Sequence, residues 1–231
     1  MTVAAGRPRA PGPPAAWRRF GTRDDMRTLC RVIGGRQPRP DDFGACALHH
    51  VMKFCNACGG PLTRRVPDGD NLPRHVCTAC ATIHYQNPLI VVGCVPEYDG
   101  RILLCKRAIE PRLGYWTVPA GFMEIGETLE AGAAREAEEE ALATVEIRDL
   151  MAVINVPHAR QVHVMFRGDL ADGRYGVGHE SLEVELVAPG DIPWADLAFP
   201  SVTFTLERYL ADLKDGCERL HVTAVGPMNP R

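Results

Sequence analysis

The sequence predicts an α/β protein in two parts, a mixed β-sheet with helices on both faces preceded by a small cysteine-rich module. Between residues 89 and 225, short apolar runs of strand type alternate with two helical patterns, the order expected when helices cover a sheet. Ahead of them, four of the nine cysteines fall into two C-x-x-C pairs. A change of composition near residue 50 sets both apart from what precedes.

The chain has 231 residues, enough for one catalytic domain and a small module. With 45% hydrophobic residues and a net charge of −3 it is neither a polycation built to coat nucleic acid nor a charge-rich disordered chain. No apolar stretch reaches the roughly 18 to 20 residues that span a bilayer, and no secretory h-region opens the chain. The expectation is a cytoplasmic protein without a membrane partner. Residues 1–51 are crowded with Arg, Pro, Gly and Ala and carry no hydrophobic period, so they are expected to be disordered. Met52-Lys53-Phe54 runs straight into the first cysteine, and the expectation is that translation starts there. The domains are then 52–86, 87–226 and a tail at 227–231.

The first module follows from Cys55-Asn56-Ala57-Cys58 and Cys77-Thr78-Ala79-Cys80, two knuckles separated by 18 residues. Four thiolates at this spacing close a tetrahedron around one zinc, leave no open position for water, and so make the metal structural. Gly59-Gly60 supplies a permissive backbone behind the first knuckle. His75 and His84 are read as ordinary ribbon residues, Cys94 and Cys105 as core, and Cys30, Cys46 and Cys217 have no evident partner.

Asn87-Pro88 turns the chain out of the ribbon. Runs at 89–95 and 102–105 flank Asp99-Gly100 and predict an antiparallel hairpin. A short strand at 115–118 and a glycine-bounded loop lead to a helix over 128–141. Strands follow near 145–155, 161–169 and 183–187, then an amphipathic helix over 201–214 and a last strand at 220–225.

The helix at 128–141 carries the chemistry. In GFMEIGETLEAGAAREAEEEALA (residues 121–143), Glu136, Glu139 and Glu140 are three and four positions apart and fall on one helical face. Glu127, Glu130 and Glu138 add to the same negative field against the lone cation Arg135, so a positive ligand is expected nearby. Leu129, Ala133, Ala137 and Ala141 line the opposite face, small enough to let the helix lie close to a sheet.

This stretch resembles the Nudix box, G-x5-E-x7-R-E-U-x-E-E-x-G-U with U apolar, through Gly121, Glu127, Arg135, Glu136, Ala137, Glu139, Glu140 and Ala143. One position departs: Leu142 stands where the family has a glycine that ends the helix with positive φ. A four-cysteine ribbon directly ahead of such a domain is similar to the zinc-ribbon subgroup that includes NADH, FAD and ADP-ribose pyrophosphatases. The resemblance covers roughly residues 53–225 and implies a Nudix α/β/α sandwich and a pyrophosphohydrolase that activates water with magnesium or manganese. It implies Glu136 and Glu140 as principal metal ligands, Glu139 as a further ligand or water contact, Arg135 as an orienting ion-pair partner near Glu127, and a backbone carbonyl near Ala120 or Gly121 as an added ligand. Glu180 and Glu183 are candidates for the general base. Arg107, Arg112 and Lys106 can grip phosphate, and Phe122 can stack a base while Trp116 is read as core.

The expected substrate is a small nucleotide, ADP-ribose or FAD ahead of NADH, because the QPWPFP-type motif of the NADH branch is absent after the box. The alternative is an RNA-binding or decapping protein. Lys53, Arg64, Arg65 and Arg74 favour it, but the ribbon lacks interleaved stacking aromatics. A homodimer is carried over by analogy alone.

Overall fold

The computed structural model describes residues 52–227. The expectations of disorder over residues 1–51 and of a start at Met52 lie outside the described residues, as does most of the expected tail.

The cysteine module forms a three-stranded antiparallel sheet of β1 (Leu62–Arg65), β2 (Arg74–Cys77) and β3 (Ile83–His84), in the order β1-β2-β3. Its strands have two to four residues, too short to show a period in the sequence.

The remainder is one eight-stranded sheet. The strands are β4 (Leu89–Tyr98), β5 (Arg101–Arg107), β6 (Trp116–Thr117), β7 (Ala120–Phe122), β8 (Val145–Val156), β9 (Gln161–Leu170), β10 (Ser181–Val187) and β11 (His221–Ala224). The main path runs β10-β5-β4-β9-β8-β11, with β6 added to β5 and β7 to β4. The β4–β5 hairpin closes at Tyr98↔Arg101, and Asp99 and Gly100 sit at φ 50° and 73°, the two left-handed positions of the tight turn that Asp-Gly signals. β4 pairs parallel to β9 from Leu89↔Gln161 to Glu97↔Asp169, and β11 pairs parallel to β8, so the sheet is mixed as expected.

Two helices cover opposite faces. Helix α1 (Leu129–Ala141) begins at Thr128, whose hydroxyl accepts a hydrogen bond from the Ala131 amide. Ala133, Ala137 and Ala141 are fully buried against Val92, Cys94, Val164 and Phe166, which draws α1 close to the sheet. Helix α2 (Pro200–Asp215) starts with a proline in its first turn and packs Val202, Leu206 and Tyr209 on Val95, Ile102, Leu104, Met151 and Ile154 on the other face. Cys94 and Cys105 lie in the α1-side core, as expected, and burial pushes the Cys94 thiol up to about 12.

One expectation is corrected here. The approach to α1 was read as a glycine-bounded loop, yet Ala120–Phe122 forms β7, antiparallel to β4 with Val91↔Phe122. The segment is too short for alternation to be visible.

Candidate active site

β7 holds Gly121 directly beneath α1. A Cβ added to Gly121 would sit 2.3 Å from a Glu136 carboxylate oxygen, so the absence of a side chain lets the carboxylate reach the strand's backbone. Arg135 fastens the loop to the helix. Its Nε and one terminal nitrogen donate to the two Glu127 oxygens at 3.1 and 2.9 Å, the other terminal nitrogen donates to Glu136 at 2.8 Å and Glu139 at 2.9 Å, and the Phe122 carbonyl accepts at 3.1 Å. Arg135 lowers Glu127, helped by the Glu124 amide, and these ion pairs hold the Arg135 guanidinium above its ordinary value.

Glu140 lacks such a partner. It is 5% exposed and accepts one bond, from the Ala120 amide at 3.3 Å. Burial pushes it up to about 8, with the charge of Glu136 adding and the field of Arg107 opposing. Burial raises Glu136 as well, against the pull of Arg135. Glu139, on the same turn, has its side chain 59% exposed at the rim. The box carboxylates thus form a negative cluster on one helical face. Among the described residues, the ribbon thiols are the group of three or more ligand atoms lying within 4.8 Å of one another. Two buried oxygen-donor carboxylates, raised by burial and by the charges of neighbouring glutamates, are the donor set that a hard divalent cation would satisfy.

The other candidates separate clearly. The charge of Arg107 reaches Glu140, its Nε donates to the Pro111 carbonyl at 2.9 Å, and it lies 5.1 Å from the Phe199 ring centre. Arg112, with φ 70°, stacks over Tyr115 at 4.8 Å. Phe122 is 53% exposed. Lys106 is bonded to Glu183 at 3.0 Å and stands over the half-buried Trp116. Of the two candidate bases, the charge of Glu180 reaches both Glu136 and Glu140, whereas Glu183 is engaged by Lys106.

Leu142 resolves the one departure in the box. It adopts φ 47° and ψ 38°, the left-handed conformation a glycine would take, and its amide donates to the Glu138 carbonyl at 2.9 Å. The helix stops where the motif requires despite the substitution.

In the ribbon, sulfur separations of 3.3 Å (Cys58–Cys80), 3.5 Å (Cys58–Cys77) and 3.7 Å (Cys55–Cys80) approach the edge of about 3.8 Å of a zinc–thiolate tetrahedron with bonds of about 2.3 Å. The Ala57 amide turns toward Cys55, and those of Ala79 and Cys80 toward Cys77, each at 3.4 Å. The Thr82 hydroxyl and amide, with the neighbouring thiols, lower Cys80 to about 6. The four sulfurs fit zinc. His84 stays outside the group of four thiols but is buried with its Nε2 3.3 Å from Cys55 Sγ, a contact across 29 residues that spacing did not show. No aromatic stands between Arg64 and Arg74, but Phe54 and Tyr85 at the two ends of the ribbon are exposed, with Arg74 5.1 Å from the Tyr85 ring centre.

A carboxylate-bearing helix clamped by an arginine over a mixed sheet, behind a four-thiol ribbon, defines a metal-dependent hydrolase of the Nudix class. Residues 53–86 match the family described as Nudix N-terminal, a zinc ribbon, and residues 87–205 match the NUDIX domain, so the chain belongs to the Nudix hydrolase family and is a pyrophosphohydrolase that uses a divalent metal. It is 31% identical over 200 residues to an NAD-capped RNA hydrolase NudC of Photobacterium profundum, covering 82% of this chain and 69% of that one. It is 30% identical over 113 residues to an ADP-ribose pyrophosphatase of Methanocaldococcus jannaschii, covering 47% of this chain and 67% of that protein. The crystal structure of a NUDIX hydrolase from Nitrosomonas europaea superposes with a TM-score of 0.74 at 51% identity, over 76% of this chain and all of that one. Among the described residues no helix is long and apolar enough to cross a membrane.

Proposed function

We propose that the protein cuts the diphosphate linkage of a nucleoside-diphosphate-X substrate, ADP-ribose or FAD ahead of NADH, with Glu136 and Glu140 as the principal ligands for magnesium or manganese. The observation that carries this is Glu140, a buried carboxylate that among the described residues forms no ion pair and accepts only the Ala120 amide, next to a second buried carboxylate. When bound, the divalent ion supplies charge neutralisation at the phosphate oxygens and acidifies a water. Arg135 holds Glu136 and Glu139 in orientation and ties them to Glu127, so the carboxylates meet the substrate pre-arranged. Glu180 takes the proton from the attacking water, because its charge reaches both Glu136 and Glu140. Arg107, whose charge reaches Glu140, and Arg112 would grip the phosphate oxygens, and the exposed Phe122 ring offers a stacking face.

A second reading is RNA bearing a nucleotide cap, favoured by the exposed Tyr85 with Arg74 over its ring and by Phe54, Arg64 and Arg65 elsewhere on the ribbon. A panel of ADP-ribose, FAD, NADH and NAD-capped RNA with magnesium separates the two. Turnover of free ADP-ribose or FAD at least tenfold above capped RNA is expected. Cleavage confined to capped RNA transfers the assignment to the second reading, and no cleavage of any diphosphate defeats both.

A further inference from the structure

The final turn of a helix leaves carbonyls without partners, and those of α1 belong to the residues that carry the site. Leu142 and Ala143 serve Glu138 and Ala137 from within the turn, at 2.9 and 3.3 Å. The carbonyls of Glu140 and Ala141 are met from elsewhere in the chain. Gly178 donates its amide to Glu140 at 3.1 Å and Gly176 donates to Ala141 at 2.7 Å, two alternate residues of the segment linking β9 to β10.

Contact at Gly178 is closer than any side chain permits. A Cβ there would lie 1.9 Å from the Glu139 carbonyl oxygen and 2.7 Å from the Glu140 carbonyl carbon. Gly178 is not among the glycines with positive φ, so the demand for glycine comes from the approach and not from backbone conformation. The same segment is fixed at its far end, where the Ala108 amide donates to the Glu180 carbonyl at 2.8 Å and the Ser181 amide to Gly178 at 3.2 Å. One stretch of backbone therefore grips the end of α1 and, two residues later, delivers Glu180 beside Arg107 and Ala108.

We propose that residues 172–180 act as a clasp that sets the separation of Glu139 and Glu140 from Glu180, with Gly178 its positioning residue. Gly178 brings no side chain to the site and acts through the helix backbone. The proposal rests on the reading of Glu136 and Glu140 as metal ligands.

The test compares full-length wild type, Gly178→Ala, Glu140→Gln and the control Gly190→Ala, whose added Cβ would meet nothing within 4 Å. Manganese binding is followed by electron paramagnetic resonance, with circular dichroism to confirm folding and steady-state kinetics on the substrate identified above. Gly178→Ala is expected to fold, to weaken manganese at least about tenfold and to lower kcat about a hundredfold, with substrate KM within about threefold, since a displacement near 1 Å costs on that order. Gly190→Ala should match wild type. Manganese affinity and kcat of Gly178→Ala within twofold of wild type overturn the clasp while leaving the ligand assignment standing; wild-type manganese affinity in Glu140→Gln overturns the ligand assignment itself. Should Gly178→Ala not fold, hydrogen exchange on wild type decides. The Gly176 and Gly178 amides should be protected like the last turn of α1 and more so with magnesium, and exchange at the rate of an open peptide overturns the proposal.

Discussion

Both helices that cover the sheet carry a buried carboxylate near their C-terminal ends, and the two are treated in opposite ways. On α2, Asp212 is 3% exposed and completely answered: Arg167, itself 3% exposed, His221 at 3.0 Å, and the amide and guanidinium of Arg219 at 3.1 and 3.2 Å all point at it. On α1, Glu140 is as deep and has a single backbone amide. The titration behaviour divides accordingly. Burial works to raise Asp212, but the His221 and Arg219 hydrogen bonds and the charge of Arg167 outweigh it and hold the group below its usual range, whereas Glu140 is pushed up. A network closed by the protein is structure; one left open is where a ligand completes the balance.

The strongest way to break this contrast is Glu140→Gln. The neutral isostere should lower kcat by about a thousandfold, near 4 kcal/mol of barrier, while the thermal midpoint moves little, because the shape and the Ala120 bond persist. Activity within tenfold of wild type in a magnesium-dependent assay removes Glu140 from the site. Asp212→Asn should do the reverse. It strands Arg167 without its counter-charge and should cost about 3 to 5 kcal/mol of folding stability in urea denaturation, with kcat near wild type in the protein that remains folded. A loss below about 1 kcal/mol shows that the network does not stabilise the fold.

The pH dependence sharpens the same point. Because the folded state holds Asp212 below its ordinary value, its contribution is complete above about 4 and fades as pH falls through the lower folded value. Wild type should lose more stability than Asp212→Asn between neutral pH and pH 2 to 3, and parallel melting curves contradict it. The smallest effect concerns the helix ends. α2 closes at Gly216, φ 63°, while α1 closes at Leu142 in the same left-handed region. Leu142→Gly should relieve up to about 1 kcal/mol of strain and raise the midpoint by about 2 to 4 °C, and a fall shows that the leucine side chain contributes more than its backbone costs.

What could be read from the sequence is what repeats locally. The Asp99-Gly100 hairpin, the C-x-x-C knuckles and the spacing of Glu136, Glu139 and Glu140 are each written within a few residues, and their elements stand within a residue or two of expectation, apart from strand ends extended at Tyr98 and Arg107. β1 to β3 and β7 were missed because strands of two to four residues have no period to detect. His84 against Cys55 and Gly178 against Glu139 were invisible for another reason. They are contacts across 29 and 39 residues, fixed by packing and by backbone amides that no residue type announces. For Gly178 the sequence shows only a glycine, and the turn it opens, closed by the Ser181 amide, does not call for one.

The bulge in β10 has a consequence for how this enzyme can vary. Ser181 pairs with Arg107 and Glu183 with Lys106, so Leu182 is a surplus residue, half-exposed, and from Glu183 to Val187 the ladder with β5 runs without interruption. In a pleated strand a slip of one residue exchanges inside for outside. Leu182 confines such slips: an insertion or deletion upstream can be taken up before Glu183, leaving Val184 and Val187 facing the interior. A change of length between β9 and Gly176 would therefore leave the apolar layers beneath unmoved, while Gly178 and Glu180 keep their place ahead of the bulge.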